Sequence, residues 1–192
     1  MNQRKIALIS VAILILAIAG YYAWLRFERP AQVAQVQQAA QPATLGKAQQ
    51  TGPAPEFEAA TTAGHFDLAE VKKPVFLEVF ATWCPHCQRE TAVLNKLYAA
   101  YGKKVAFVAV SGSDSAMDGD SPASAADVLK FATIFNVKYP IAYDGRLAVA
   151  DLYLQGGYPT IAVIDAKKTV SYINSGELPY DTLAAEIQKV LK

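Results

Sequence analysis

Two short, nearly continuous apolar runs, PVFLEVF at 74–80 and VAFVAV at 105–110, limit the fold of this 192-residue chain more than any other feature. Runs of this length without polar alternation read as strands buried on both faces, and such strands lie in sheets covered by helices. The stretch between them supplies one covering helix. Leu94, Leu97, Tyr98 and Tyr101 follow the i, i+3, i+4, i+7 spacing of an apolar helical stripe. Val128, Phe131, Ala132 and Phe135 mark a second helix, started by Ser121-Pro122 or by a Ser124/Asp127 capping box. TIAVID (160–165) and VSYIN (170–174) flank the turn AKK and read as a hairpin. Leu183, Ile187, Val190 and Leu191 face one side of a last helix that Pro179 can begin. The order β-α-β-α-β-β-α predicts an α/β domain with a mixed central sheet flanked by helices. No internal repeat is present.

This domain is expected over 56–192. Ahead of it, Ile6 to Leu25 is a 20-residue run without a charge, the length a helix needs to cross a hydrocarbon core of about 30 Å. Arg4 and Lys5 precede the run, which predicts a cytoplasmic N-terminus, and Tyr21, Tyr22 and Trp24 suit the far interface. Ala17-Ile18-Ala19 resembles a signal-peptide cleavage site, but apolar residues continue past it to Leu25. The expectation is a retained anchor, residues 1–28, with the rest of the chain exported. Residues 29–55, rich in Gln, Ala and Pro, lack bulky core residues and read as a linker. If flexible, it would reach about 30 Å. With 18 basic and 17 acidic side chains and no Lys/Arg cluster, the chain shows no nucleic-acid surface. No cofactor motif appears.

The two cysteines of the chain, Cys84 and Cys87, stand in ATWCPHCQRE. Structural zinc needs two further Cys or His ligands, whereas the chain has only His65 and His86. Haem attachment needs a histidine after the second cysteine, and Gln88 is there. A staple closing so small a loop would add little stability. A redox dithiol remains. The pair follows a buried strand and begins a helix, where the dipole and unpaired N–H groups favour a thiolate. Cys84 is therefore the expected attacker, and Cys87, one turn in, the resolving thiol.

On these residues the chain resembles the thioredoxin fold, and within it the membrane-anchored TlpA/ResA/CcmG-like thiol–disulfide oxidoreductases. The resemblance covers 55–192 and rests on PAPEF, FATWCPHCQRE, GGYPTIAVID and VSYINSGEL. It implies that Pro159 is cis and lies beside the dithiol, and that Tyr158 offers backbone hydrogen bonds to a substrate segment. By itself an X-Pro bond is trans by default. Trp83 is usual before the first cysteine, packing beside the site, although a surface aromatic for partner contact fits as well. Glu78 interrupts the buried run PVFLEVF, and burial without a paired charge would make it a proton acceptor. Its place, six residues before the first cysteine, is that of the buried acid of thioredoxins, which assists the resolving thiol. The other reading is an exposed glutamate near a strand end. Glu90, one turn after Cys87, matches a glutamate lining the cavity in ResA- and CcmG-type relatives; otherwise it is a solvated helix-face residue.

Pro85 and His86 complicate the direction of electron flow. An imidazole between the sulfurs can stabilise the Cys84 thiolate, hence the reduced form, making the disulfide more oxidising. Proteins of this fold run from about −270 mV for thioredoxin to about −120 mV for DsbA. Pro-His is the DsbA dipeptide, and GYPT resembles the cis-proline loop of protein disulfide isomerases. Against a DsbA assignment, the roughly 30 residues at 111–140 hold only a loop and one helix. The expectation is a TlpA-like reductase in the bacterial inner membrane with its redox domain in the periplasm. The resemblance implies cysteine-bearing exported proteins as substrates, such as apocytochromes c or copper-site proteins, and a membrane redox partner. The alternatives are a DsbA/PDI-like oxidase or isomerase, and a copper module with Cys84, Cys87 and His86 or Met117 as soft ligands. His65 reads as a loop histidine, and Asp144 and Arg146 as surface charges.

Overall fold

The structure is a computed structural model and describes residues 46–192. The anchor at 6–25 lies outside the described residues, and among the described residues no helix is long and apolar enough to cross a membrane. The elements are β1 (Glu58–Thr61), β2 (Gly64–Asp67), β3 (Val75–Phe80), α1 (Pro85–Tyr101), β4 (Ala106–Ser111), α2 (Ala125–Ile134), β5 (Ile141–Tyr143), α3 (Ala148–Tyr153), β6 (Thr160–Ile164), β7 (Val170–Ser175) and α4 (Tyr180–Val190). The strands form one sheet in the order β2-β1-β5-β4-β3-β6-β7. β3 runs parallel to β4 and antiparallel to β6, so the sheet is mixed, as the sequence predicts.

The central position of β3 explains its unbroken apolar run. Every residue of it is buried, and alternate side chains feed two different cores. Phe76 and Phe80 join Leu94 and Leu97 of α1, Phe131 of α2, and Leu183 and Ile187 of α4. Val75, Leu77 and Val79 join Phe57, Phe66, Leu68 and Tyr153 on the other side. Glu78, between Phe76 and Phe80, falls on the same side of the strand as they do, and the cluster on that side includes both cysteines.

The predicted order omits the hairpin β1–β2, the strand β5 and the helix α3. Each is too short or too polar to show a period: β1 is half-exposed, β5 has three residues and α3 has six. Asp144 is no surface charge. It is buried, and its carboxylate accepts the backbone N–H groups of Ala148 (2.9 Å), Val149 (2.7 Å) and Ala150 (3.0 Å), capping α3. The end of the expected linker is also corrected, because residues 48–54 pack on the domain. The N–H of Ala48 bonds to Leu152, that of Thr51 to Val170 and that of Ala54 to Lys168. Composition suggested a linker there, but backbone pairing, which composition does not reveal, ties the segment down.

At the start of α2 the Ser124 half of the capping box is formed, and the two side chains bond to each other. Ser124 Oγ accepts the Asp127 N–H at 3.3 Å and donates to Asp127 Oδ2 at 2.5 Å. Ser124→Ala is expected to cost about 1 kcal/mol. Urea unfolding should show this as a lower midpoint with an unchanged slope.

Candidate active site

β3 leads through 81–83 into α1, and this connection sets the dithiol. Cys84 is the N-cap of α1, in extended conformation (φ −74°, ψ 117°), and Pro85 follows within the first turn. Proline suits that position, since its missing N–H has no helical partner there. No side chain caps the helix, so its first N–H groups are left without a side-chain acceptor, and Cys84 stands at the positive end of the dipole. Both cysteines are free thiols. Cys84 is 4% exposed and Cys87 is fully buried. Cys84 Sγ lies 3.5 Å from the carbonyl oxygen of Tyr158, its hydrogen-bond acceptor. The Tyr158–Pro159 peptide is cis.

Tyr158 is fixed at both ends. Its hydroxyl donates to the Gly112 carbonyl, and its ring meets Trp83 edge-on at 5.8 Å. Gly112 has no room for a side chain, since a Cβ would come within 2.6 Å of the Ala150 Cβ. Trp83 is 37% exposed and donates from Nε1 to Ser113 Oγ at 2.8 Å. It therefore both packs beside the site and presents a face to solvent.

Behind the sulfurs lies a buried acidic pocket. Burial, and then the charge of Glu78, push the Cys87 thiol far above its ordinary value. Glu78 is 3% exposed, paired in register with Ala109 and Ile161, and so is no strand-end glutamate. Burial raises its pKa well above the ordinary carboxyl range. Glu90 and then Cys84 add to this, and a side-chain hydrogen bond with Tyr139 opposes it. Glu90 is fully buried, which rules out the solvated reading. Burial pushes it up to about 7, against the hydrogen bond from Leu178. Its Oε1 accepts the Leu178 N–H at 2.9 Å, while Oε2 is buried without a partner. Position 90 lies on the same helical stripe as 94, 97 and 101, a signal that the sequence reading did not extend back to it.

Three residues of the site escaped the sequence reading. Tyr139 is buried and touches the acidic pocket through Glu78 and Thr91, although 139 lies in a loop with no pattern of its own. Arg89 and Glu177 meet His86 outside the pocket. His86 Nδ1 lies 3.1 Å from Glu177 Oε2 and 2.7 Å from Arg89 Nη2. Arg89 Nη2 donates to the same carboxylate oxygen at 2.7 Å. His86 is thus turned toward a charged pair, which does not favour its use as a copper ligand. Met117 packs against the core. Among the described residues no group of three or more His, Cys, Asp or Glu could hold a metal ion. The arrangement joins a thiol at a helix N-terminus, a deeper thiol, and carboxyls able to take and return a proton. Those are the parts of a two-step disulfide exchange.

The chain matches the Redoxin family over residues 47–191. It is 30% identical over 140 residues to the thiol-disulfide oxidoreductase ResA of Geobacillus kaustophilus, covering 71% of this chain and 75% of that one. It is 32% identical over 127 residues to the thioredoxin-like protein YneN of Bacillus subtilis, covering 65% and 71%. Among solved structures it is similar to a candidate thiol:disulfide interchange protein DsbE from Chlorobium tepidum. That match has 25% identity and a TM-score of 0.65, and covers 76% of this chain and 100% of the other.

Proposed function

The chain belongs to the Redoxin family and is a thiol–disulfide oxidoreductase of the ResA type, and from that premise we propose that it works as a membrane-anchored reductase of exported proteins. In this reading residues 6–25 cross the inner membrane once, with the N-terminus in the cytoplasm and the redox domain in the periplasm. The 20 charge-free residues behind Arg4 and Lys5 support it. The tether runs from residue 29 to the packed segment that starts at Ala48. Substrates are exported proteins bearing cysteine pairs, apocytochromes c and copper-site proteins among them, and a membrane protein returns the electrons.

The observation that carries the chemistry is Cys84 at the head of α1, with its sulfur on the Tyr158 carbonyl and Cys87 one turn deeper. The Cys84 thiolate attacks one sulfur of a target disulfide; the bond between the target sulfurs breaks and a mixed disulfide forms. Glu78 takes the Cys87 proton, and the Cys87 sulfur attacks that of Cys84. The target leaves two electrons richer as the Cys84–Cys87 disulfide closes, and its sulfurs become thiols by taking two protons, the one Glu78 removed from Cys87 and one from solvent that replaces the proton Cys84 had given up. Tyr158 and Pro159 line up the target chain, while Trp83 and Pro85 border the sulfur. Glu90 helps hold protons in the pocket.

The test is to equilibrate the full chain, in detergent, with glutathione redox buffers. A potential near thioredoxin's, about −270 mV, is expected. A value near DsbA's, about −120 mV, would replace the reductase with an oxidase or isomerase, the reading that His86 favours. No reversible exchange at all would overturn the dithiol chemistry.

A further inference from the structure

The loop between β7 and α4 carries a carboxylate to the outer rim of the dithiol. Gly176 turns the chain there with φ +103°, a conformation that favours glycine. The bond from the Leu178 N–H to the buried Glu90 fixes the next residues against α1. Glu177 then faces positions 86 and 89, one helical turn apart. Its Oε2 is 3.1 Å from His86 Nδ1 and 2.7 Å from Arg89 Nη2, and its Oε1 is 3.3 Å from Arg89 Nε. In either imidazole tautomer Nδ1 is engaged, accepting from Arg89 or donating to Glu177. The Cys84 sulfur meanwhile bonds to Tyr158. Hydrogen bonds from Arg89 and then His86 hold Glu177 below the ordinary carboxyl range, so it stays charged.

We propose that Glu177 is a positioning residue for the dithiol. Its carboxylate holds His86 and Arg89 at the edge of α1 and offsets their charge, so the Pro-His dipeptide stabilises the Cys84 thiolate less than a free imidazole would. The disulfide is accordingly less oxidising than its dipeptide implies. This also deepens the reductase reading, on which it rests: a contact far away in sequence sets the direction that the dipeptide alone leaves open. The partners are half-exposed, so the effect is graded rather than absolute.

The experiment compares wild type, Glu177→Gln, His86→Ala and the double variant as full chains in glutathione buffers. The reaction is dithiol plus oxidised glutathione giving the Cys84–Cys87 disulfide and two glutathione thiols, with two electrons and both thiol protons passing to glutathione. Glu177→Gln is expected to shift this equilibrium toward the dithiol by roughly three- to tenfold. In the His86→Ala background the Glu177→Gln shift should fall below half, on a logarithmic scale. An unchanged equilibrium in Glu177→Gln would overturn the proposal, as would an equal shift with and without His86. Failure of the wild type to exchange would instead remove the dithiol reading itself, so the two failures are distinct.

Discussion

Cys84→Ser is expected to abolish disulfide exchange, and Cys87→Ser to strand the protein on its target. Serine cannot supply the thiolate that attacks a disulfide sulfur, and Cys87, fully buried, cannot replace it. In Cys87→Ser the attacker remains, but the second displacement has no nucleophile. The mixed disulfide should then last minutes to hours, the timescale of uncatalysed rearrangement. Non-reducing gels after incubation with a disulfide-bearing exported protein would show a covalent adduct for Cys87→Ser and none for Cys84→Ser. The reverse pattern would exchange the roles of the two cysteines. Adducts with both would mean that burial does not separate them.

Glu78→Gln should slow turnover and raise stability at the same time. Removing a proton acceptor for Cys87 is expected to slow release from the mixed disulfide by about 10²- to 10⁴-fold. For stability the sign follows from proton counts. Glu78 is raised in the folded protein, chiefly by burial, so between the ordinary carboxyl pKa and its folded value the native state binds one more proton than the unfolded chain. Wild-type stability therefore falls with rising pH in that window, by about 1.4 kcal/mol per pH unit for this one group. Glu90, pushed up to about 7, adds the same sign up to neutrality. Gln carries no charge to bury, so the variant should be the more stable protein at pH 7–8 and lose its advantage near pH 4. Urea titrations across that range together with single-turnover release rates make the check. A variant as fast as wild type with the same pH slope would leave Glu78 without either role.

The pairing of these effects reflects how the site is built. A carboxyl in the middle of a six-residue buried strand costs stability because its charge has no water, and the same desolvation makes it able to accept a proton near neutral pH. Glu90 lies under the same constraint, with one oxygen bonded to Leu178 and the other without a partner.

What the sequence determined by itself is local or periodic. The apolar runs at 74–80 and 105–110 marked the interior strands, the stripe through Leu94 and Leu97 marked α1, and Ser124 with Asp127 was one of the two starts offered for α2. These follow from burial and backbone hydrogen bonding within a few residues. The position of the dithiol followed as well, because the strand-to-helix junction lies between two legible elements. Tertiary structure alone decided the rest. β5 and the β1–β2 hairpin are too short to declare themselves and exist through the neighbours that pair with them. Residues 48–54 belong to the domain because their N–H groups find distant carbonyls. Asp144 is a cap rather than a surface charge because the chain folds back at 148–150. Glu177 reaches His86 across 91 positions in sequence, Leu178 reaches Glu90 across 88, and Tyr158 reaches Cys84 across 74. Such contacts leave no period or spacing in the chain, since they depend on which elements the sheet brings side by side.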